Sequence, residues 1–351
     1  MGLPGRSLVS KCFILSTQKM MNAQMSAEKK PRVCVAIVSY NSSATLPRCL
    51  DSLAAQTYGD FSVVLIDNAS AEKPGELLSR LSVPTTYMEM HDNLGFAKAM
   101  NVALEAAGCE FLVALNPDAF PHPNWLAELV SAADQNSCFA AFGSVQISAT
   151  DSTKIDGFGD NLMAWGQAWR GQSLPDDGAG SDVYESFGVC AAAALYRTKS
   201  LNQLGGFDDR FFCFYEDVDV SIRLRLAGHR CAVVRSAVVD HVGGASFEGK
   251  SDLADFLVAR NQWWLLVKNM PVLLLIAILP GYILMQIYAL IRHPTSSRMK
   301  GLREGLAQTG TALRLRRMVQ AERKISALAL NKWLTWNPFD FRSRTSNVKR
   351  L

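Results

Sequence analysis

Residues 33–39, VCVAIVS, form an uncharged run with apolar or small side chains at both alternating positions. A strand that is apolar on both sides must be covered on both, and a parallel sheet flanked by helices does this. The run empties into Tyr40-Asn41-Ser42-Ser43, after which Leu46, Leu50 and Leu53 recur at helical spacing. The same grammar then repeats. Residues 62–66 read as a strand ending in Asp67-Asn68, and residues 86–90 as another before Asn93-Leu94-Gly95-Phe96 and a helix over 97–107. A strand over 111–115 ends in Asn116-Pro117-Asp118, with a helix over 124–133 and a strand near 140–147 beyond it. This alternation predicts a doubly wound α/β sheet whose ligand site lies past the carboxyl ends of the strands, where each polar cluster falls.

Residues 210–230, RFFCFYEDVDVSIRLRLAGHR, concentrate the chemistry. Glu216, Asp217 and Asp219 stand at the mouth of a helix whose Val218, Ile222, Leu224 and Leu226 face a core, while Arg223 and Arg225 are expected to point elsewhere. Acidic residues in a first helical turn are favoured by the macrodipole alone, which accounts for one or two of them. Phe211, Phe212, Phe214 and Tyr215 add an apolar wall, which raises a carboxylate's proton affinity as a general base requires.

The formal charge of +4 is small for 351 residues, and the basic excess lies after Arg292, directly behind an apolar segment. That placement suits an anionic membrane surface and requires no nucleic acid. The eight cysteines are scattered without a CxxC pair and read as buried thiols of a reducing compartment. Residues 1–30 are expected to be a disordered tail, too polar after Cys12 to Leu15 for a secretory signal, and residues 171–182 a flexible loop.

With these residues in place the chain resembles the inverting family 2 glycosyltransferases of the GT-A fold, and most of all their bacterial rhamnosyltransferase-like branch. The resemblance spans about residues 32–268 and rests on VSYN at 38–41, IDNAS at 66–70, NLGFAKAMN at 93–101, LNPDA at 115–119, LGGFDDRFF at 204–212, YEDVD at 215–219 and residues 241–246. It implies a doubly wound, mixed GT-A sheet over 31–250; residues 251–351 are expected, from the apolar segment and basic tail, to form a helical, membrane-associating appendage. It also implies single transfer of a sugar, with inversion, from a nucleotide-diphosphate donor to a glycan or polyprenyl-linked acceptor of surface polysaccharide synthesis. L-Rhamnose from dTDP-rhamnose is the donor suggested by that branch. Asp217 becomes the base and Glu216 its acceptor-orienting neighbour. Tyr40, Asn41, Asp67, Asn93, Gly95 and Asn116 would shape the nucleotide-sugar site, with Asp67 accepting the pyrimidine N3 proton; an Asx turn with Asn68 suits the dipeptide equally. Asp118 and His241 would hold Mg2+ or Mn2+, although Asn116-Pro117-Asp118 lacks one charge of the common Asp-x-Asp. Without the resemblance, His241 reads as a hydrogen-bonded loop histidine. Trp165 and Trp169, beside Gly166, fit either a wall for an acceptor sugar or a hairpin core.

Residues 271–291, PVLLLIAILPGYILMQIYALI, have the length of a membrane span, but Pro280-Gly281 is expected to cut them into halves of roughly ten residues. Because nucleotide sugars are cytosolic, a single crossing would export a basic tail against the positive-inside bias. The expectation is therefore a broken helix pair dipping into the inner leaflet, with Arg292, Arg298, Lys300, Arg303, Arg314, Arg316 and Arg317 on headgroups, and Trp333, Trp336, Phe339 and Phe341 as interfacial anchors. A buried helix pair on protein is the competing account. The rival functions are a catalytically silent sugar-nucleotide-binding or scaffold protein and a nucleotidyltransferase, the latter disfavoured because no glycine-rich loop follows the first strand.

Overall fold

The computed structural model describes residues 30–175, 182–243 and 251–351. The expected tail at 1–29, part of the 171–182 loop and residues 244–246 lie outside them. In chain order the first part runs β1 (Val33–Ser39), α1 (Leu46–Ala54), β2 (Phe61–Asp67), β3 (Thr85–Glu89), α2 (Gly95–Ala107), β4 (Phe111–Leu115), β5 (Ala119–Pro121), α3 (Trp125–Gln135) and β6 (Phe139–Ser148). Then come β7 (Asp151–Phe158), β8 (Asp160–Met163), β9 (Ala168–Arg170), β10 (Val183–Ser186), β11 (Ala193–Arg197), α4 (Thr198–Gln203), α5 (Glu216–Leu226) and β12 (Arg230–His241). The remainder is α6 (Ser251–Asn269), α7 (Val272–Arg292), α8 (Ser296–Ala307), α9 (Thr309–Ala321), α10 (Ala327–Asn331), β13 (Leu334–Thr335), α11 (Pro338–Arg342) and β14 (Val348–Arg350).

The main sheet has the order β14-β10-β12-β6-β11-β4-β1-β2-β3, and β13-β8-β9 form a small second sheet. Strands β4, β1, β2 and β3 are parallel, whereas β11 runs antiparallel between β4 and β6, so the sheet is mixed. Every β1 residue is buried, as its uncharged run requires. Val33, Val35 and Ile37 enter one core with α1 and α3, while Cys34, Ala36 and Val38 enter another with α2, the alternation expected of a strand covered on both faces. The strand order reverses between β1 and β4, and the crevice beyond their carboxyl ends is where such sheets take ligands.

Three expectations are corrected here. His241 ends a twelve-residue strand, β12, instead of sitting in a loop, because its backbone pairs with Ala119 of β5. Arg223 and Arg225 do not point to solvent. Both are buried, Arg223 bonded to Asp219 and Arg225 to Glu185 and to the carbonyls of Ser186 and Phe187. Pro280 does not break the apolar segment, since Val272–Arg292 is one helix. An interior proline costs about 3 kcal/mol. Leu274, Ile278, Tyr282 and Gln286, spaced four apart on both sides of Pro280, are all buried against the rest of the chain and hold the two halves in line. Gly281 lets Trp165 approach so closely that a Cβ there would overlap the indole.

A third core cluster joins Val218, Ile222 and Leu226 of α5 to Trp264, Leu265 and Tyr282 of the C-terminal helices. The seven described cysteines are free, but Cys138 is exposed, so the expectation of buried thiols holds only in part. Of the expected aromatic anchors, Trp333 is buried under Arg225 and Phe341 packs against Trp169, whereas Trp336 and Phe339 are exposed. Arg316, expected on headgroups, is buried and donates to the Val267 carbonyl.

Candidate active site

A cavity of about 550 Å3 opens at the carboxyl ends of β1 and β4. Tyr40 and Asn116 line it from those ends, Asn93 and Gly95 from the start of α2, Glu216 and Asp217 from α5, and His241 from β12. Residues from distant parts of the sequence therefore share one space.

The loop before α2 is fixed by amide bonds. Asn68 Nδ2 donates to Asn93 Oδ1 at 2.8 Å, Leu94 N donates to Asn68 Oδ1 at 2.8 Å, and Gly95 N donates to Asn93 Oδ1 at 2.9 Å. Gly95 has φ +76°, and a Cβ on it would overlap the ring and carbonyl of Phe212. That carbonyl accepts from Ala97 N at 3.1 Å, so the glycine lets the aromatic loop dock on the helix start. Phe212, Phe214 and Tyr215 all hold positive φ, a concentration of backbone strain directly before Glu216. Phe212, Phe214 and Tyr215 face the cavity as expected, but Phe211 is buried in the core behind them.

The carboxylates at the start of α5 have different environments. Asp217 is half-buried and accepts from Val218 N at 2.8 Å and Ala191 N at 3.2 Å. Burial raises its pKa, and these backbone bonds only partly oppose the rise. Glu216 is driven well above the usual carboxylate range by burial and by the charge of Asp217, and its Oε2 has no partner among the described residues. Asp219 points away, bonded to Arg223, Lys268 and Asn269, and is structural. Asp160, at the head of β8, also lines the cavity and is raised well above its ordinary value by burial and by Asp217.

Asp118 and His241 meet because β5 pairs with β12 and Val242 N donates to the Asp118 carbonyl at 3.0 Å. His241 Nε2 lies 3.6 Å from Asp118 Oδ1 and is buried without a hydrogen bond. His241 Nδ1 is 2.8 Å from Asp156 Oδ2 and 3.1 Å from Arg170 Nη1. Both neighbours cannot be satisfied at one nitrogen. Donation from Nδ1 to Asp156 is favoured, because Arg170 already bonds Asp156 at 2.7 Å and Gln146 at 2.7 Å. That tautomer leaves Nε2 as a lone pair facing Asp118. Burial lowers the His241 pKa, but Asp118 and Asp156 outweigh it and the net shift is upward. Among the described residues no group of three or more His, Cys, Asp or Glu side chains is arranged to hold a metal ion alone. A carboxylate and an oriented imidazole fit a Mg2+ or Mn2+ ion whose remaining ligands come from phosphate oxygens and water.

Two expected nucleotide residues do not line the cavity. Asp67 is fully buried and accepts from Ser70 N at 2.9 Å and Tyr87 Oη at 3.0 Å, so its carboxylate is spent on its own turn. Asn41, with φ +52°, accepts from Ala71 N at 2.9 Å and braces the same turn from outside. Conversely, Asp160, Arg170 and Arg344 line the cavity with no motif to announce them. The isolated carboxylate in GFGDNL at 157–162 is the nearest thing to a signal for Asp160. Trp169 lines the cavity through β9, whereas Trp165 in the β8–β9 turn packs on α7.

Residues 34–205 match the family model described as glycosyl transferase family 2. The N-acetylglucosaminyl-diphospho-decaprenol L-rhamnosyltransferase of Mycobacterium tuberculosis is 28% identical over 234 residues, covering 59% of this chain and 75% of that protein. The O-antigen biosynthesis protein RfbC of Myxococcus xanthus is 29% identical over 250 residues, which are 66% of this chain and 18% of that protein. Among solved structures, S. aureus TarS 1-349 in complex with UDP-GlcNAc aligns with TM-score 0.56 at 15% identity, over 90% of this chain and 92% of that one. A longer TarS chain is matched over 52% of its length. The mannosyltransferase PcManGT of Pyrobaculum calidifontis, solved with GDP-Man and Mn2+, aligns with TM-score 0.50 at 17% identity, over 88% of this chain and 92% of that one. At these identities the structures establish the fold alone, which is GT-A.

Proposed function

From the premise that this chain is a glycosyltransferase of family 2, carried by residues 34–205, we propose that it transfers one sugar, with inversion, from a nucleotide-diphosphate donor to a glycan or lipid-linked acceptor. The observation that carries this is the convergence of Asp217 and His241 on one cavity, with Asp118 directly behind the histidine. Asp217 takes the proton of the acceptor hydroxyl as that oxygen attacks the anomeric carbon. The bond from that carbon to the diphosphate oxygen breaks on the opposite face, so a single displacement inverts the centre and no enzyme nucleophile is needed. Two backbone N–H groups fix the carboxylate's orientation, and Phe214 and Tyr215 line the same cavity. Glu216, protonated beside it, orients the acceptor. A bound Mg2+ or Mn2+, held by Asp118 and His241, would supply charge stabilisation to the departing diphosphate.

The mycobacterial relative's name specifies an acceptor linked through diphosphate to a polyprenol and an L-rhamnosyl donor. Both carry over to this chain as part of the proposal, with dTDP-L-rhamnose as the first donor to test. Helix α7 supports a membrane-bound acceptor. One face is buried on the protein, while Leu273, Ile276, Leu284 and Ile291 are exposed on the other. In this proposal the helix lies in the cytoplasmic leaflet's interface, with the basic residues of α8 and α9 toward anionic headgroups.

The deciding experiment incubates the full chain with dTDP-rhamnose or other nucleotide sugars, Mn2+ and a polyprenyl-lipid extract. Acceptor-dependent release of nucleoside diphosphate and a glycosylated lipid of inverted anomeric configuration is the expected result. Retention of configuration, or release of pyrophosphate, would sink the mechanism.

A further inference from the structure

Carboxyl groups crowd the floor of the cavity, with Glu216 and Asp160 pushed well above their ordinary pKa values by burial and by Asp217. Asp160, Glu216 and Asp217 line it, with Asp118 and Asp156 behind His241. A diphosphate entering this space needs positive charge, and Arg170 is largely neutralised by Asp156. The other guanidinium on the lining is Arg344, which lies far outside the residues matched by the family model.

Arg344 is held at the cavity by a segment, residues 343–350, that is fastened to the β8–β9 hairpin and to β10 of the main sheet. Gln172 N donates to the Arg344 carbonyl at 2.8 Å, two residues beyond Arg170. Trp169 Nε1 donates to the Thr345 carbonyl at 3.0 Å, Asn347 N donates to Asn161 Oδ1 at 2.9 Å, and β14 pairs with β10. The exposed guanidinium rests 5.2 Å from the centre of the Phe341 ring; its charge helps hold the Asp156 carboxyl down, but among the described residues it makes no direct ion pair. The backbone at Arg344 has φ +53°, a strained conformation for a residue with a side chain, and the fastenings on both sides keep it there. A fastened, strained arginine on the cavity wall, with no carboxylate in direct contact among the described residues, is arranged to meet an anion.

We propose that Arg344 binds the diphosphate of the nucleotide-sugar donor, so that the 343–350 segment is a working wall of the donor site. This inference rests on the proposed donor chemistry and adds a specific residue to it. A guanidinium there offers paired N–H donors to phosphate oxygens and stabilises the negative charge that grows on the leaving group.

Calorimetric titration of the full chain with uridine, UMP and UDP, and with thymidine, dTMP and dTDP, tests both layers. The wild type is expected to gain affinity on each added phosphate. In Arg344→Ala the diphosphates lose about ten- to hundred-fold in affinity while the nucleosides are unchanged, the scale of a charged hydrogen bond. Arg344→Lys, which keeps the charge but not the fork, recovers part of the loss. Diphosphate affinity within about twofold of wild type in Arg344→Ala overturns the proposal. So does an equal loss for nucleosides and diphosphates, which would mark Arg344 as a structural prop. If the wild type binds none of these, nor GDP or ADP, the donor chemistry itself fails and this inference falls with it.

Discussion

His241 Nε2 faces Asp118 Oδ1 across 3.6 Å, buried and without a hydrogen bond, while Asp156 takes the proton on the other nitrogen of the ring. In the proposed reading this imidazole is a metal ligand oriented by Asp156, and losing an orienting carboxylate typically lowers metal affinity 10–100-fold. Asp156→Asn is therefore expected to weaken Mn2+ binding in the presence of UDP by about that factor, and Asp118→Ala to abolish it. Electron paramagnetic resonance of free Mn2+ reads both. Unchanged binding in Asp118→Ala would remove the metal from this corner of the cavity.

Asp217 sits above the ordinary carboxylate value of 3.8 because burial outweighs its two backbone bonds. A base must be ionised to act, so transfer is lost as pH falls through this raised pKa. The acid limb of kcat/KM is expected above 3.8, and Asp217→Asn should lower the rate by about 10²–10⁴-fold while UDP still binds. A variant that retained more than about a hundredth of the activity would return the role to Glu216 or Asp160.

The fold was legible because its signals are local. The VCVAIVS run has no polar face, so its burial on both sides followed from seven letters, and the polar clusters at 40–43 and 116–118 fell at strand ends as the alternation required. The cavity lining was legible only where side chains lie near their own turn, as Glu216 and Asp217 do at the start of α5. Asp160 and Arg170 reach the cavity through the short β8–β9 hairpin, which carries no motif, and Arg344 through the 343–350 segment, which pairs with β10 over a long sequence distance. Asp67 and Asn41 show the reverse problem. Their residue types suit ligand contacts, but Ser70, Tyr87 and Ala71 claim their oxygens first. At Pro280 a sound local rule was overridden by a buried stripe that spans the break.

Asp219 is fully buried on α5 and binds Arg223 Nε at 2.7 Å, Lys268 Nζ at 2.8 Å and Asn269 Nδ2 at 2.8 Å. Burial alone would raise its pKa, but the two cations and the amide win and it lies below 3.8. Its contribution to stability is thus complete above the unfolded value and is lost as pH falls through the folded one. Removing the charge strands Arg223 and leaves Lys268 with Asp208 as its one carboxylate partner, so Asp219→Asn is expected to cost about 3–5 kcal/mol at neutral pH. Urea unfolding at several pH values checks this. The gap between variant and wild type should narrow only in the acid range below 3.8; a gap independent of pH would assign the loss to packing.

Helix α7 has two faces of opposite character. At about 100° per residue, Leu273, Ile276, Leu284, Ile287 and Ile291 fall within an arc of about 80°. All are exposed, Leu273 at 78% and Ile291 at 73%. The opposite arc carries Leu274, Ile278, Tyr282 and Gln286, and Gln286 Nε2 donates to Gln262 Oε1 at 2.9 Å, tying the helix to α6. Leaving large aliphatic side chains in water forgoes about 1.5–3 kcal/mol each, so the exposed arc calls for an apolar environment. Leu273→Glu combined with Leu284→Glu places charge on that arc without touching the buried one. The double variant is expected to keep its near-ultraviolet circular dichroism and to lose sedimentation with phosphatidylglycerol–phosphatidylethanolamine vesicles. Binding that survives the double substitution but is abolished by salt would transfer the attachment to the basic residues of α8 and α9. Loss of fold together with binding would show that this arc packs on protein and not on lipid.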